Sequence, residues 1–260
     1  MRIDCLSIFP EIIRDSLAHS IPAIAQEKGL LSIHHHNVRD YAVDKHQRVD
    51  DIPYGGGAGM VFKPEPAVAA IRDLRTAQTC VIHPSPAAPR LQQRDVIELA
   101  RLPHLVFLAS RYEGLDQRVI DLFVDREYSL GDFVISGGEL ACATVIDAVV
   151  RMIPGAISKE SSYQEDSFYQ GLLDHPHYTR PPVFEDLAVP EVLQSGHHEN
   201  IRKWRKEQAL RRTHAYRPDL LEAAELDKEA IKMLATIQTE QCQTVISEKA
   251  GSSNLGENGA

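Results

Sequence analysis

The chain has 260 residues, 43% of them hydrophobic and 25% charged, so it is long enough to bury a sizeable core and ordinary enough to be globular. No apolar run reaches the roughly 18–20 residues that would cross a bilayer, and Met1-Arg2-Ile3-Asp4 lacks the apolar segment of a secretory signal. The net charge of −9 argues against a general nucleic-acid coat but leaves room for a local basic patch. Cys5, Cys80, Cys142 and Cys242 have no CxxC spacing, which argues against a disulfide framework or a zinc site and for a reduced, cytoplasmic protein.

Arg2–Phe9 reads as a strand, stopped by Pro10. Glu11–Lys28 reads as one helix closed by Gly29, and Leu30–Val38 as a second strand. His34-His35-His36 lies on that strand, where neighbours point to opposite faces; three in a row are a poor chelate and read as a polar edge. Residues 39–60 form a polar, glycine-rich loop containing Tyr54-Gly55-Gly56-Gly57-Ala58-Gly59-Met60. It lacks the Lys-Ser/Thr of a nucleotide-binding P-loop and does not stand between a strand and a helix as the dinucleotide fingerprint requires.

Pro64–Arg75 reads as a helix, Thr79–His83 as a strand and Pro84–Pro89 as a turn. A helix over Leu91–Arg101, a strand over His104–Ala109 and a helix over Gly114–Phe123 follow. Glu127–Ile135 mixes strand and turn before a long apolar helix over Gly138–Ile153. This alternation predicts an α/β domain with a mostly parallel sheet and helices on both faces, over residues 1–157. Two turns at strand ends are candidate ligand loops: Ser110–Arg118, with two arginines, two carboxylates and Tyr112, and Ser129–Leu140, where Gly137 and Gly138 permit a tight turn and Gly131 close backbone contact. Each is also readable as an ordinary βα connection.

The remainder reads as a flexible linker over 158–175, a small all-helical domain over 176–241, and a Ser/Gly/Asn/Glu-rich disordered tail over 242–260. Arg202, Lys203, Arg205, Lys206, Arg211, Arg212 and Arg217 crowd one stretch opposed locally by Glu199 and Glu207, with Trp204 and Tyr216 as stacking candidates. A solvated helix face is the simpler reading of that charge.

Five segments in order resemble the bacterial tRNA (guanine-N1)-methyltransferase family of the SPOUT class: DDIPYGGGAGMV (50–61), RYEGLDQR (111–118), SLGDFVISGGEL (129–140), DSFYQGLLDHPHYTRP (166–181) and VPEVLQSGHHENIRKWR (189–205). The resemblance implies a C-terminal trefoil knot in the α/β domain, a homodimer, and S-adenosylmethionine held by three loops. Its contacts would fall to Pro86, Ser110, Tyr112, Glu113, Leu130, Gly131, Asp132, Phe133, Val134, Ile135, Gly137 and Gly138. It implies methylation of N1 of the guanine 3′-adjacent to the anticodon, with Asp166 as general base, Arg151 stabilising charge on O6, and Glu113 a candidate to orient the base or a metal. From residues alone, Asp166 is equally readable as a helix N-cap and Arg151 as a helix-terminal cation. The RNA surface would comprise Arg202, Lys203, Arg205, Arg211 and Arg212, with His175-Pro176-His177 shaping the cleft. Magnesium is implied as a further cofactor, though no carboxylate spacing marks its ligands; tRNA is the implied partner, not DNA or a membrane. The chain departs from the family at Ala87-Ala88 (usually Gln-Gly), Ser110 (usually Gly) and Phe133 (usually Tyr). A non-catalytic RNA-binding protein on the same scaffold is the alternative.

Overall fold

A computed structural model describes residues 1–157 and 166–253, with side chains as far as residue 240. The chain divides into two units, Met1–Tyr163 and Gln164–Ala260.

The first unit is built on a five-stranded, wholly parallel sheet of order β2-β1-β6-β5-β7. Its strands are β1 (Arg2–Ser7), β2 (Ser32–Asn37), β5 (Thr79–Pro84), β6 (His104–Leu108) and β7 (Arg126–Tyr128). The strands alternate between two apolar layers, as a period of two demands. Ile3, Cys5, Cys80, Ile82, Leu105 and Phe107 face one layer, and Leu6, Val81, Val106 and Leu108 the other. Helices α1 (Pro10–Ser16), α2 (Ser20–Glu27), α4 (Gln93–Leu99) and α6 (Gly138–Arg151) cover the first layer. Helices α3 (Pro64–Leu74) and α5 (Gln117–Phe123) cover the second.

The expected single helix over 11–28 is in fact two. Ser20 is left-handed at φ 57° and breaks the run. Pro22 explains the break: proline is tolerated in a first turn, but deeper in a continuous helix its ring would strike the carbonyl four residues back. The loop after β2 also carries a 3-10 turn (Val38–Tyr41) and a two-stranded ribbon, β3 (Asp50–Asp51) with β4 (Val61–Phe62). Helix α5 starts three residues later than expected because the Asp116 carboxylate caps it, accepting from the Arg118 N–H at 2.9 Å.

The histidine strand β2 is an edge strand, but it is not merely polar decoration. His36 bonds Asp4 at 2.7 Å, and His104 bonds the same fully buried carboxylate at 2.7 Å. Arg2 adds two further bonds. Burial alone would raise the Asp4 pKa; the bonds from Arg2, His36 and His104 outweigh it and hold the carboxyl below its ordinary value.

The second unit is helical apart from a hairpin, β8 (Val183–Phe184) with β9 (Leu187–Ala188), which the expectation of an all-helical domain lacked. Two-residue strands are too short for alternation to reveal. Its helices are α7 (Glu191–Gln194), α8 (His198–Tyr216), α9 (Pro218–Ala223) and α10 (Lys228–Ser253). Leu210, Ala230 and Ile237 form its core, joined by Leu172, Leu221, Leu226 and Met233. Helix α10 continues past Cys242, where composition suggested a tail; Ala, Gln, Glu and Lys there are good helix formers. Of the expected linker, residues 158–165 lie outside the described residues. From Asp166 the chain forms turns tied to the helices: Leu173 N–H donates to Thr213 Oγ1 at 2.9 Å, and Asp174 N–H to Ser167 Oγ at 2.9 Å.

Candidate active site

In an open parallel sheet, ligands bind beyond the carboxyl ends of the strands. A cavity of about 330 Å³ lies there in the first unit, beyond the ends of β5, β6 and β7. It is at the small end of the range for small-molecule pockets. Three loops build it: Pro84–Pro89, Ser110–Leu115 and Ser129–Gly137. Backbone bonds tie them to one another. Leu91 N–H donates to Ser129 O and Ser129 N–H to Pro89 O, at 2.9 and 2.8 Å; Gly138 N–H donates to Ser110 O at 2.8 Å.

The reason for two glycines at 137 and 138 is space. Gly137 is extended at φ 179°, a conformation open to any residue. A Cβ there would lie 2.5 Å from Glu139 Oε2 and 2.9 Å from Arg111 Nε. A Cβ on Gly138 would stand 3.1 Å from Ala109 Cα and Ser110 N. At 138 the chain presses against the backbone at the end of β6, where glycine avoids a tight contact; at 137 a Cβ would require the Glu139 and Arg111 side chains to shift. Glu139, buried at 1% exposure, clamps the approach. Its Oε1 accepts from Ser7 Oγ at 2.7 Å and from Arg111 Nε at 3.0 Å. Arg111 also lies over the Phe9 ring at 4.5 Å. One carboxylate thus joins the end of β1, the loop after β6 and the start of α6. This role is not legible in the local sequence, because its partners lie 28 and 132 positions away.

Pro86, Ser110, Tyr112, Glu113, Leu130, Phe133, Val134, Ile135, Gly137 and Gly138 line the cavity. Gly131 and Asp132 do not. Gly131 is held in a local turn by Ser129 Oγ at 3.1 Å, and the exposed Asp132 turns toward Arg90 at 3.8 Å. Ser110 has no positive φ, so a side chain is accommodated where the family pattern has glycine. Tyr112 does occupy the left-handed region, at φ 62°, a strained conformation for an aromatic residue. His83 is an unexpected wall residue. It is buried and bonds Leu108 O at 2.9 Å through Nδ1. Burial lowers its pKa, only partly opposed by that bond, so it is a neutral, fixed surface.

The glycine-rich loop joins the same site. Glu113 N–H donates to Met60 O and Phe62 N–H to Gly114 O, both at 2.9 Å. A Cβ on Gly59 would collide with the Glu113 side chain. The Asp50–Val61 and Arg111–Arg118 motifs, separate in sequence, therefore meet at Glu113.

The family description that matches residues 1–223 is tRNA (Guanine-1)-methyltransferase TrmD. The chain belongs to this family. It is similar to the tRNA (guanine-N(1)-)-methyltransferase of Exiguobacterium sibiricum, 51% identical over 237 residues, which are 91% of this chain and 98% of the relative. The corresponding proteins of Clostridium perfringens strain 13 and Clostridium novyi are 50% and 48% identical over 235 residues, 90% of this chain and 99% and 97% of theirs. The matched stretch takes in every cavity-lining residue and most of the second unit.

The residues proposed for catalysis fall in different units. Arg151 is the last residue of α6, half-buried, in the first unit. Asp166 opens the described part of the second. Turns, not a helix, follow Asp166, which removes the N-cap reading.

The basic stretch of α8 is less exposed in charge than its sequence suggests. Arg202 pairs with Glu199 at 2.8 Å and Glu229 at 3.0 Å; Arg211 pairs with Glu207 and Glu240, both at 2.7 Å. Lys206 bonds Asp227 and Glu229. The neutralising acids beyond Glu199 and Glu207 come from α10 and the turn before it. Arg212 reaches the Asp174 carbonyl at 3.3 Å, and Lys203 stands 3.7 Å from Glu199. Arg205 is exposed and makes no ion pair among the described residues. Trp204 is half-buried, with His175 and Tyr178 rings at 6.3 and 6.2 Å.

Among the described residues, the cluster of three metal-capable side chains is Asp174, His175 and His177. Two imidazoles suit magnesium poorly, since it takes oxygen ligands. Nothing here supports a magnesium site. No described helix is long and apolar enough to cross a membrane.

Proposed function

We propose that the chain methylates N1 of the guanine 3′-adjacent to the anticodon in tRNA, with S-adenosylmethionine as donor. The observation that carries the reading is the cavity itself: three loops beyond parallel strand ends, tied together by backbone bonds, in a member of a methyltransferase family. The residues present fit the donor. Apolar Leu130, Phe133, Val134 and Ile135 offer surfaces for a flat base, and the Gly137–Gly138 backbone leaves the wall free of side chains.

Bound there, the donor supplies an electrophilic methyl carbon. The protein's part is to hold the guanine and move one proton. N1 of neutral guanine carries a hydrogen, and Asp166 accepts it as general base. Negative charge then grows on O6, and the Arg151 guanidinium donates to it. Glu113, anchored by Met60, orients the guanine from the cavity rim. In this reading Leu130–Gly138 threads the knot of the SPOUT class. The support is the path of the chain, which leaves edge strand β7 and reaches Ser110 at the end of β6 before α6 begins.

The active form is a homodimer. Phe133, Val134 and Ile135 on the cavity wall, and Leu140 in the first turn of α6, expose apolar surface that a second copy would cover where the donor does not. The second unit, from about residue 176, binds tRNA through Arg202, Lys203, Arg205, Arg211 and Arg212, with residues 158–175 linking it to the first. Reduced, buried Cys5, Cys80 and Cys142 suit a cytoplasmic enzyme.

Methylation of a tRNA transcript by Asp166→Ala and Arg151→Ala tests the assignment. Each is expected to lose about 100-fold or more in rate, the usual worth of a general base or a charge-stabilising donor. Near wild-type rates in both would overturn it.

A further inference from the structure

The Asp174–His177 segment, which the family resemblance places at the RNA cleft, carries a polar cluster that has no assigned chemistry. Asp174, His175 and His177 each offer one ligand atom, and these atoms lie within 4.8 Å of one another. His177 Nε2 bonds Asp174 Oδ2 at 2.7 Å, and His175 Nε2 stands 3.8 Å from Asp174 Oδ1. The two rings are 4.4 Å apart.

Two further features separate this cluster from a chance polar surface. The first is tautomer control. His175 Nδ1 sits 3.1 Å from the Pro176 carbonyl, which only accepts. Nδ1 therefore carries a hydrogen, which leaves Nε2, 3.8 Å from Asp174 Oδ1, as the nitrogen available to ligate. A backbone carbonyl on the far nitrogen is the arrangement that orients metal-bound histidines. The second is rigidity before any ion arrives. Asp174 N–H donates to Ser167 Oγ, Arg212 holds the Asp174 carbonyl, and Leu173 N–H donates to the buried Thr213. Pro176 stiffens the link between the two histidines.

We propose that Asp174, His175 and His177 form a binding site for a divalent transition-metal ion of the zinc class. One carboxylate oxygen and two imidazole nitrogens provide three ligands, with water completing the shell. The donor set selects the ion: imidazole favours zinc, cobalt or nickel, whereas magnesium and calcium take oxygen. Binding needs only a modest contraction of the cluster, because the ligand-to-metal distances are about 2.0–2.2 Å. The ion takes the place of the hydrogen now shared between His177 Nε2 and Asp174, which passes to solvent or, through solvent, to Nδ1 of the same ring. The site lies wholly within the second unit.

Calorimetric titration of the full chain with zinc chloride, and with magnesium chloride as the oxygen-preferring control, tests this. One equivalent of zinc is expected to bind, with no comparable magnesium isotherm. The exposed His177→Ala and the buried His175→Ala should each weaken zinc binding about tenfold or more. Cobalt should bind to the same site and give a visible absorption band that His177→Ala abolishes. His177 lies on the surface, so its variant keeps the test valid if His175→Ala fails to fold. Zinc binding unchanged in His177→Ala, or absent from the wild-type chain, would overturn the proposal.

Discussion

Glu139 is the residue through which the fold holds the cavity open, and its removal is the most informative perturbation. The carboxylate is 1% exposed and bonded to Ser7 and Arg111. Breaking a buried ion pair by deleting one partner costs about 3–5 kcal/mol. The Arg111 side chain is 22% exposed and can recover some hydration, so about 2–3 kcal/mol is the appropriate figure here. For a protein of this size that corresponds to a fall in melting temperature of about 4–12 °C. Glu139→Ala should show that fall in a thermal melt. It should also bind S-adenosylmethionine more weakly, because the Ser110–Leu115 loop and the start of α6 lose their common anchor. Glu139→Gln keeps the shape and an acceptor for Ser7, and should fall between the two. An alanine variant that melts within about 1 °C of wild type with unchanged affinity would refute the reasoning.

Four other variants probe the Asp4 network, the cavity and the α8 arginines. Asp4 has a folded-state pKa below its ordinary value, so its stabilisation is complete above the unfolded carboxylate value near pH 4 and is lost as pH falls through the lower folded value. Acid unfolding followed by circular dichroism should therefore be shallower below about pH 4 in Asp4→Asn than in wild type; identical slopes would contradict the assignment. Ser110→Gly should change the donor KM by no more than about twofold, the equivalent of about 0.4–0.5 kcal/mol, since the serine backbone is unstrained; a tenfold change would mean that the side chain obstructs the cavity. Arg205→Ala should lower tRNA affinity and reduce the slope of log K against log salt by about one unit. Arg202→Ala should reduce that slope by less, because Glu199 and Glu229 already offset part of its charge, and should also lower the melting temperature.

The parallel sheet was legible because β1, β5 and β6 are short apolar runs separated by helical patterns, and their positions shift by only a residue or two. The split between α1 and α2 was also written in the chain, at Pro22, but the apolar spacing on either side masked it. What local reading could not supply was pairing at a distance. The α8 arginines look free beside Glu199 and Glu207, yet acids some twenty to thirty positions later neutralise much of that charge. The Asp4 network joins residues from β1, β2 and β6, and a sequence shows none of that adjacency. At the cavity, the family motifs fall on the three loops that line it, while Gly131 and Asp132, which share a motif with the lining residues, are turned away from it. Glu139 was inside a motif and still missed, since its role depends on Arg111 and Ser7 reaching it in space.

The central claim is best tested by following a labelled methyl group. The full-length protein, labelled S-adenosylmethionine and a tRNA transcript with guanosine 3′-adjacent to the anticodon would be incubated, digested to nucleosides and separated. The account predicts label in N1-methylguanosine alone, lost when that guanosine is replaced by adenosine and reduced about 100-fold or more in Asp166→Ala. Label in a different nucleoside, or no transfer despite measurable binding of the donor and the tRNA, would contradict it.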